Sequence, residues 1–157
     1  MEETVKFEQY CKIREYALQA CAEKKTLDDP ARANPIILAY LGDAVFSLYV
    51  RMRLLPVSTH VQVLHDLAAR MVSAVFQAKA MEALEPELTP EEAAVARRGR
   101  NTKSLVPKSA SVREYRMGTA FEALIGYLYL CRQEERLEAL LAKSFECIRE
   151  AMENGKA

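Results

Sequence analysis

Glycine and proline are scarce in this sequence, five and six among 157 residues. Scarce breakers in a chain rich in Ala, Leu, Glu, Lys and Arg argue against a sheet and predict an all-α fold. Net charge is missing too. With 22 basic residues against 22 acidic ones, nothing global advertises a polyanionic partner, and any such site must come from local segregation of charge. None of the four cysteines (Cys11, Cys21, Cys131, Cys147) stands in a CxxC pair. They are expected as core thiols, and His60 and His65, five apart, point to different sides of a helix, which argues against a metal role for them. No signal peptide and no membrane-length apolar run stands out, so the expectation is a reduced, cytoplasmic protein with no membrane partner. Half of the residues are hydrophobic, and the length suits one domain with a real core. No internal repeat or low-complexity segment is evident.

What is present is helical pattern. Thr4 to Lys25 has helix-forming composition and runs into the polar connector KKTLDDPARAN, so residues 1–33 read as a helical extension. Asn34 before Pro35 predicts a helix start, since Asn caps free amides and Pro at the first helical position gives up nothing. That helix is expected to reach about Leu55, before Pro56. Leu64, Leu67, Met71, Val75 and Ala78 predict one further helix from Ser58 or Thr59 to about Leu84. Thr89-Pro90-Glu91-Glu92 reads as a capping box for a short helix stopping at Gly99. After Arg100 to Ser111, which lacks apolar periodicity, a long helix carries FEALIGYLYL, and an amphipathic one covers about Glu134 to Met152.

Two of these helices are apolar around most of their circumference, and each holds one acid in its middle: Asp43 in LAYLGDAVFSLYVR and Glu122 in FEALIGYLYL. The helical neighbours of Asp43 are Ala39, Tyr40, Phe46 and Ser47, and those of Glu122 are Gly118, Thr119, Ile125 and Gly126, so neither has a basic partner on its own helix. An uncompensated buried carboxylate costs several kcal/mol, so each acid has to cap a helix, pair with a distant base, or bind a cation. Asp43 after Gly42 could N-cap a new helix. A hidden Arg could serve Glu122, which sits too deep for a cap. If the helices pack face to face, one carboxylate from each could share Mg²⁺, its other positions filled by water and phosphate oxygens, with glycines permitting the close approach.

The third feature is charge. ARRGRNTKSLVPKSASVREYR, Ala96 to Arg116, carries Arg97, Arg98, Arg100, Lys103, Lys108, Arg113 and Arg116 against the single acid Glu114, while Glu82 to Glu92 holds five glutamates and no base. A basic loop by itself is often a solvated surface. Beside two candidate metal carboxylates, phosphate binding is the better reading, with Gly99 and the Ser and Thr residues as further donors.

LAYLGDAV (Leu38 to Val45) resembles the signature helix of ribonuclease III, and FEALIGYLYL (Phe121 to Leu130) resembles its second catalytic helix. With RRGRN at Arg97 to Asn101 and no double-stranded-RNA-binding domain, the sequence is most similar to the bacterial Mini-ribonuclease III family of stand-alone catalytic domains. The resemblance covers about Asn34 to Glu150 and places a ribonuclease III-type helical endonuclease domain at residues 34–152. It implies a homodimeric, metal-dependent endoribonuclease that cleaves double-stranded RNA and matures the large-subunit (23S) ribosomal RNA precursor. Asp43 and Glu122 match the family's catalytic acids and would hold Mg²⁺, with Mn²⁺ able to substitute. Arg97, Arg98, Arg100, Asn101, Lys103 and Lys108 would meet RNA, and Tyr40 matches the residue that plugs the partner subunit. Three acidic positions of larger members fall on Ile36, Ala39 and Thr119, which leaves few protein ligands for a second metal. Two other readings compete: a non-catalytic RNA-binding scaffold on the same fold, against which the retained Asp43 and Glu122 argue, and a helical protein-interaction domain, which leaves both acids unexplained.

Overall fold

The computed structural model of the chain describes residues 1–23, 25–103, 105–108 and 110–155, and every regular element among them is helical. The elements are α1 (Glu2–Ala22), α2 (Pro35–Leu54), α3 (Val61–Met71), α4 (Ala74–Leu84), α5 (Pro90–Arg100), α6 (Val112–Leu130) and α7 (Glu134–Asn154), with single 3-10 turns at Pro30–Arg32 and Glu85–Glu87. Local chemistry sets most starts. The Asn34 side chain accepts the Ile36 amide at 3.0 Å before Pro35. Thr89 with Glu92, and Ser111 with Glu114, close complete capping boxes that satisfy free amides at α5 and α6.

α6 is the centre of the fold. Every residue from Met117 to Leu128 is buried except Glu122, as expected of a helix that is apolar all round. α2, α4 and α5 pack around it, and α7 closes the other side of α4. Phe46 of α2 meets Phe121 edge to face, ring centroids 4.9 Å apart. The α2–α6 contact is backbone against backbone: a Cβ built on Gly42 would lie 1.8 Å from the Glu122 carbonyl oxygen, and one on Gly126 would lie 2.0 Å from that of Leu38. No side chain could occupy either position without separating the helices.

The structure corrects five sequence expectations. The helix expected from residue 58 to Leu84 is two, α3 and α4, because Ser73 takes an extended backbone and its amide turns back to the Arg70 carbonyl. The apolar phase runs through the break, since both halves face one core, and that hid it. Gly99 does not stop α5, which continues to Arg100. It is buried, and a Cβ there would come within 3.0 Å of Ala123 Cβ, so it serves close packing on α6. The cysteines are free thiols and none is fully buried: Cys21 is exposed, Cys11 and Cys147 are half-buried, and only half-buried Cys131 is packed against the core among the described residues. A membrane-length apolar stretch does exist: α2 has 20 residues, an 18-residue window of which has a mean hydropathy of 1.3, long and apolar enough to cross a membrane. Its buried residues (Leu38, Ala39, Gly42, Phe46, Val50, Leu54) form the side that meets the core. Finally, the N-terminal helix ends at Ala22 rather than Lys25. It buries none of its residues, and Lys24 lies outside the described residues.

Candidate active site

Asp43 sits in the middle of α2, about two turns from its start and three from its end, which excludes the capping reading. It is exposed, and the adjacent Gly42 holds it against the turn of α6 that carries Glu122. Among the described residues Glu122 has no cationic partner, and no arginine stands where one would have explained it. One of its oxygens accepts the Nε2 amide of Gln77, a fully buried α4 side chain, at 3.1 Å. Burial pushes the Glu122 carboxyl up to about 7, the Gln77 hydrogen bond pulls it down, and the negative charge of Asp43 adds to the rise. Burial is the main cause of the rise, and the neighbouring acid adds to it where a cation would have opposed it. Among the described residues no three of His, Cys, Asp and Glu cluster, so the donors do not form a closed structural cage. Two carboxylates from rigid facing helices fit a hard divalent cation that keeps several waters and draws further ligands from phosphate. Ala39 and Thr119 are buried beside them, and the Thr119 hydroxyl donates to the Tyr115 carbonyl.

The cationic segment is less uniform than its sequence. Arg97 is exposed, and so are Lys103, Lys108 and Arg116. None of the four has an ion pair among the described residues. Asn101 is exposed at the C-cap of α5. Arg98 has a structural post, donating to the carbonyls of Ala31 and, at 2.6 Å, Ala33, which fastens the connector after α1 to α5. Its guanidinium is thus engaged by the fold, unlike that of Arg97. Arg100 lies 3.9 Å from Glu85, and Arg113 lies 2.7 Å from Glu82. The acidic and basic stretches that look segregated along the chain therefore face each other in space. Glu87 is likewise taken by Lys143, and Glu92 by Arg136. Gly99 is closed to phosphate by α6, the Thr102 hydroxyl is turned to the Arg98 carbonyl, and Ser104 and Ser109 lie outside the described residues.

The outer face of α2 carries Ile37, Tyr40, Leu48, Met52 and Leu55, at 50%, 82%, 60%, 61% and 66% exposure. With the exposed Ala44 between Tyr40 and Leu48, the three- and four-residue spacing makes one apolar stripe opposite the buried face. Sequence reasoning missed Gln77. The signal was an amide on the apolar face of FQAKAM, where the helical period asks for a hydrophobe.

Residues 37–133 match the family model described as the ribonuclease III domain. The chain is similar to Mini-ribonuclease 3 of Clostridium tetani, 38% identical over 90% of this chain and 94% of that one. It is also similar to Mini-ribonuclease 3 of Symbiobacterium thermophilum, 47% identical over 78% of this chain and 95% of the other. A crystal structure of a protein from Fusobacterium nucleatum superposes with a TM-score of 0.67 at 30% identity, covering 71% of this chain and 90% of that one.

Proposed function

Because the chain belongs to the ribonuclease III family, and within it to the Mini-ribonuclease 3 group, an endoribonuclease type, we propose that it cleaves double-stranded RNA with Asp43 and Glu122 as its catalytic pair. One observation carries this reading: two acids from different helices are held together with no cationic side chain between them among the described residues, one of them pushed up to about 7. Leaving two carboxylates side by side without compensation costs stability, which is the arrangement expected of a site that works on a charged ligand.

Asp43 and Glu122 would hold Mg²⁺, or Mn²⁺ in its place. When bound, such an ion supplies charge stabilisation at the scissile phosphate and lowers the pKa of a coordinated water. The net reaction forms one bond from a water oxygen to phosphorus and breaks one phosphodiester P–O bond. The rigid α2–α6 contact fixes where the two carboxylates stand, which lowers the cost of reorganising them during the reaction. Arg97, Lys103 and Lys108, with Asn101, supply phosphate contacts that position the duplex. Arg100 joins them by exchanging Glu85 for phosphate. Flexible cations beside an A-form duplex reach its backbone and not its deep groove, so they set affinity and not sequence.

The exposed α2 stripe with Tyr40 at its head is the surface proposed for a second copy of the chain, giving a homodimer with one active site per strand. The large-subunit ribosomal RNA precursor is the proposed substrate, residues 34–152 the catalytic unit and residues 1–33 an added helix, in a cytoplasmic setting. Asp43→Asn and Glu122→Gln test the central claim. Both variants should fold, bind duplex RNA at least as well as the parent, and lose cleavage by several orders of magnitude. Near-parental cleavage in Mg²⁺ by Asp43→Asn would refute the assignment.

A further inference from the structure

The α4 position of Gln77 belongs to the core. Ala78, Ala80, Met81 and Leu84 around it are buried, and Gln77 itself is 2% exposed. Methionine or leucine would fill such a position without needing a partner, whereas a buried amide is costly unless it is hydrogen-bonded. Room has been made for this one. Gly118, one turn before Glu122 on α6, lacks the Cβ that would stand 3.1 Å from the Gln77 Oε1, and Ala74 beside it is also small. On the other side the Nε2 group donates to Glu122 Oε1 at 3.1 Å. The amide is thus wedged between α4 and α6 and engages a single oxygen of the acid.

We propose that Gln77 is a positioning residue for the metal site: its buried amide pins one oxygen of Glu122 so that the other is presented beside Asp43. This rests on the reading of Asp43 and Glu122 as the metal-holding pair. An acid in the middle of a crowded helix has more than one rotamer open to it, and only some keep a free oxygen next to Asp43. A hydrogen bond from a neighbouring buried side chain selects among them before any ion arrives, and such outer contacts typically govern metal affinity by ten- to a hundredfold.

The test is Mn²⁺ binding to the full chain without RNA, followed by electron paramagnetic resonance of the free ion. The chains compared are the parent, Asp43→Asn, Gln77→Met, Glu122→Gln and the Gln77→Met/Glu122→Gln double variant. Gln77→Met is expected to melt no lower than the parent and to bind Mn²⁺ about tenfold to a hundredfold more weakly. It should lower kcat on duplex RNA at unchanged KM and cause no further loss once Glu122 is Gln. Parental Mn²⁺ affinity in Gln77→Met, or the same loss in the Glu122→Gln background, would overturn the positioning role. Equal Mn²⁺ binding by the parent and by Asp43→Asn would instead bring down the metal pair itself, and the positioning role with it. Should Gln77→Met not fold, Gly118→Ala displaces the amide without touching either acid, and undiminished Mn²⁺ binding there would equally overturn the proposal.

Discussion

Glu92, at the first turn of α5, receives the Arg136 Nε and Nη2 groups at 2.9 Å on its two oxygens and the Thr89 amide at 3.0 Å. Glu122, in the middle of α6, receives one amide and faces another acid. Both carboxylates are set into the packed part of the molecule, yet the Arg136 fork pulls Glu92 below its usual range against the effect of burial, while burial wins at Glu122. The contrast separates an acid whose charge an arginine compensates from one whose charge is left uncompensated by its neighbours among the described residues.

Removing Glu92 is the largest perturbation of this contrast. Glu92→Ala strips a buried acceptor from Arg136 and opens the α5 capping box, so it should cost about 2–4 kcal/mol in denaturant unfolding. Cleavage per folded molecule should stay near parental, the reverse of what Glu122→Gln does. A Glu92→Ala chain that was stable but inactive would erase the distinction.

A metal-free titration of stability sharpens it next, because the two acids carry opposite signs. Glu122 is raised from 4.5 to about 7, so between those values the folded chain holds a proton that the unfolded chain has lost. Its contribution is fully present below about pH 4.5 and is lost as pH rises through about 7, a change on the order of 1–3 kcal/mol. Glu92 is lowered from 4.5, so its contribution is present above that value and lost as pH falls below it. Glu122→Gln should flatten the neutral limb and Glu92→Gln the acid limb, read from chemical unfolding in chelator across the range.

The smallest effect extends the comparison to cations. Arg97 is free and exposed, whereas Arg98 is tied to the Ala31 and Ala33 carbonyls. Arg97→Ala should reduce the slope of log affinity for duplex RNA against log salt by about 0.7 to 0.9, if polyelectrolyte behaviour carries over from DNA. Arg98→Ala should leave the slope in place and loosen the connector, seen as faster amide exchange across residues 30–33.

The all-α class, the starts of α2, α5 and α6, and the pairing of Asp43 with Glu122 were legible in the sequence because caps and lone acids are local signals. The break at Ser73 was not, since the core-facing period is continuous across it and only the backbone departs. Gly99 misled because a glycine near a helix end reads the same whether it stops the helix or admits a neighbour. The arginines misled for a related reason: charge along a chain says nothing of what it meets in space, and Glu82, Glu85 and the connector carbonyls are remote in sequence from their partners. Gln77 stayed hidden because its meaning depends on Glu122, 45 residues away.

Where α2 and α6 touch at Gly42 and Gly126, no side chain remains to set the distance between the helices. Elsewhere in a core, an exchange of one hydrophobe for a larger one forces neighbouring side chains off their rotamers and shifts the backbone. Around that contact Leu38, Phe46, Phe121 and Leu124 are fully buried and fill the space between the helices, but the approach itself is set by backbone alone. The spacing between the two acid-bearing turns rests on the two positions with nothing left to remove.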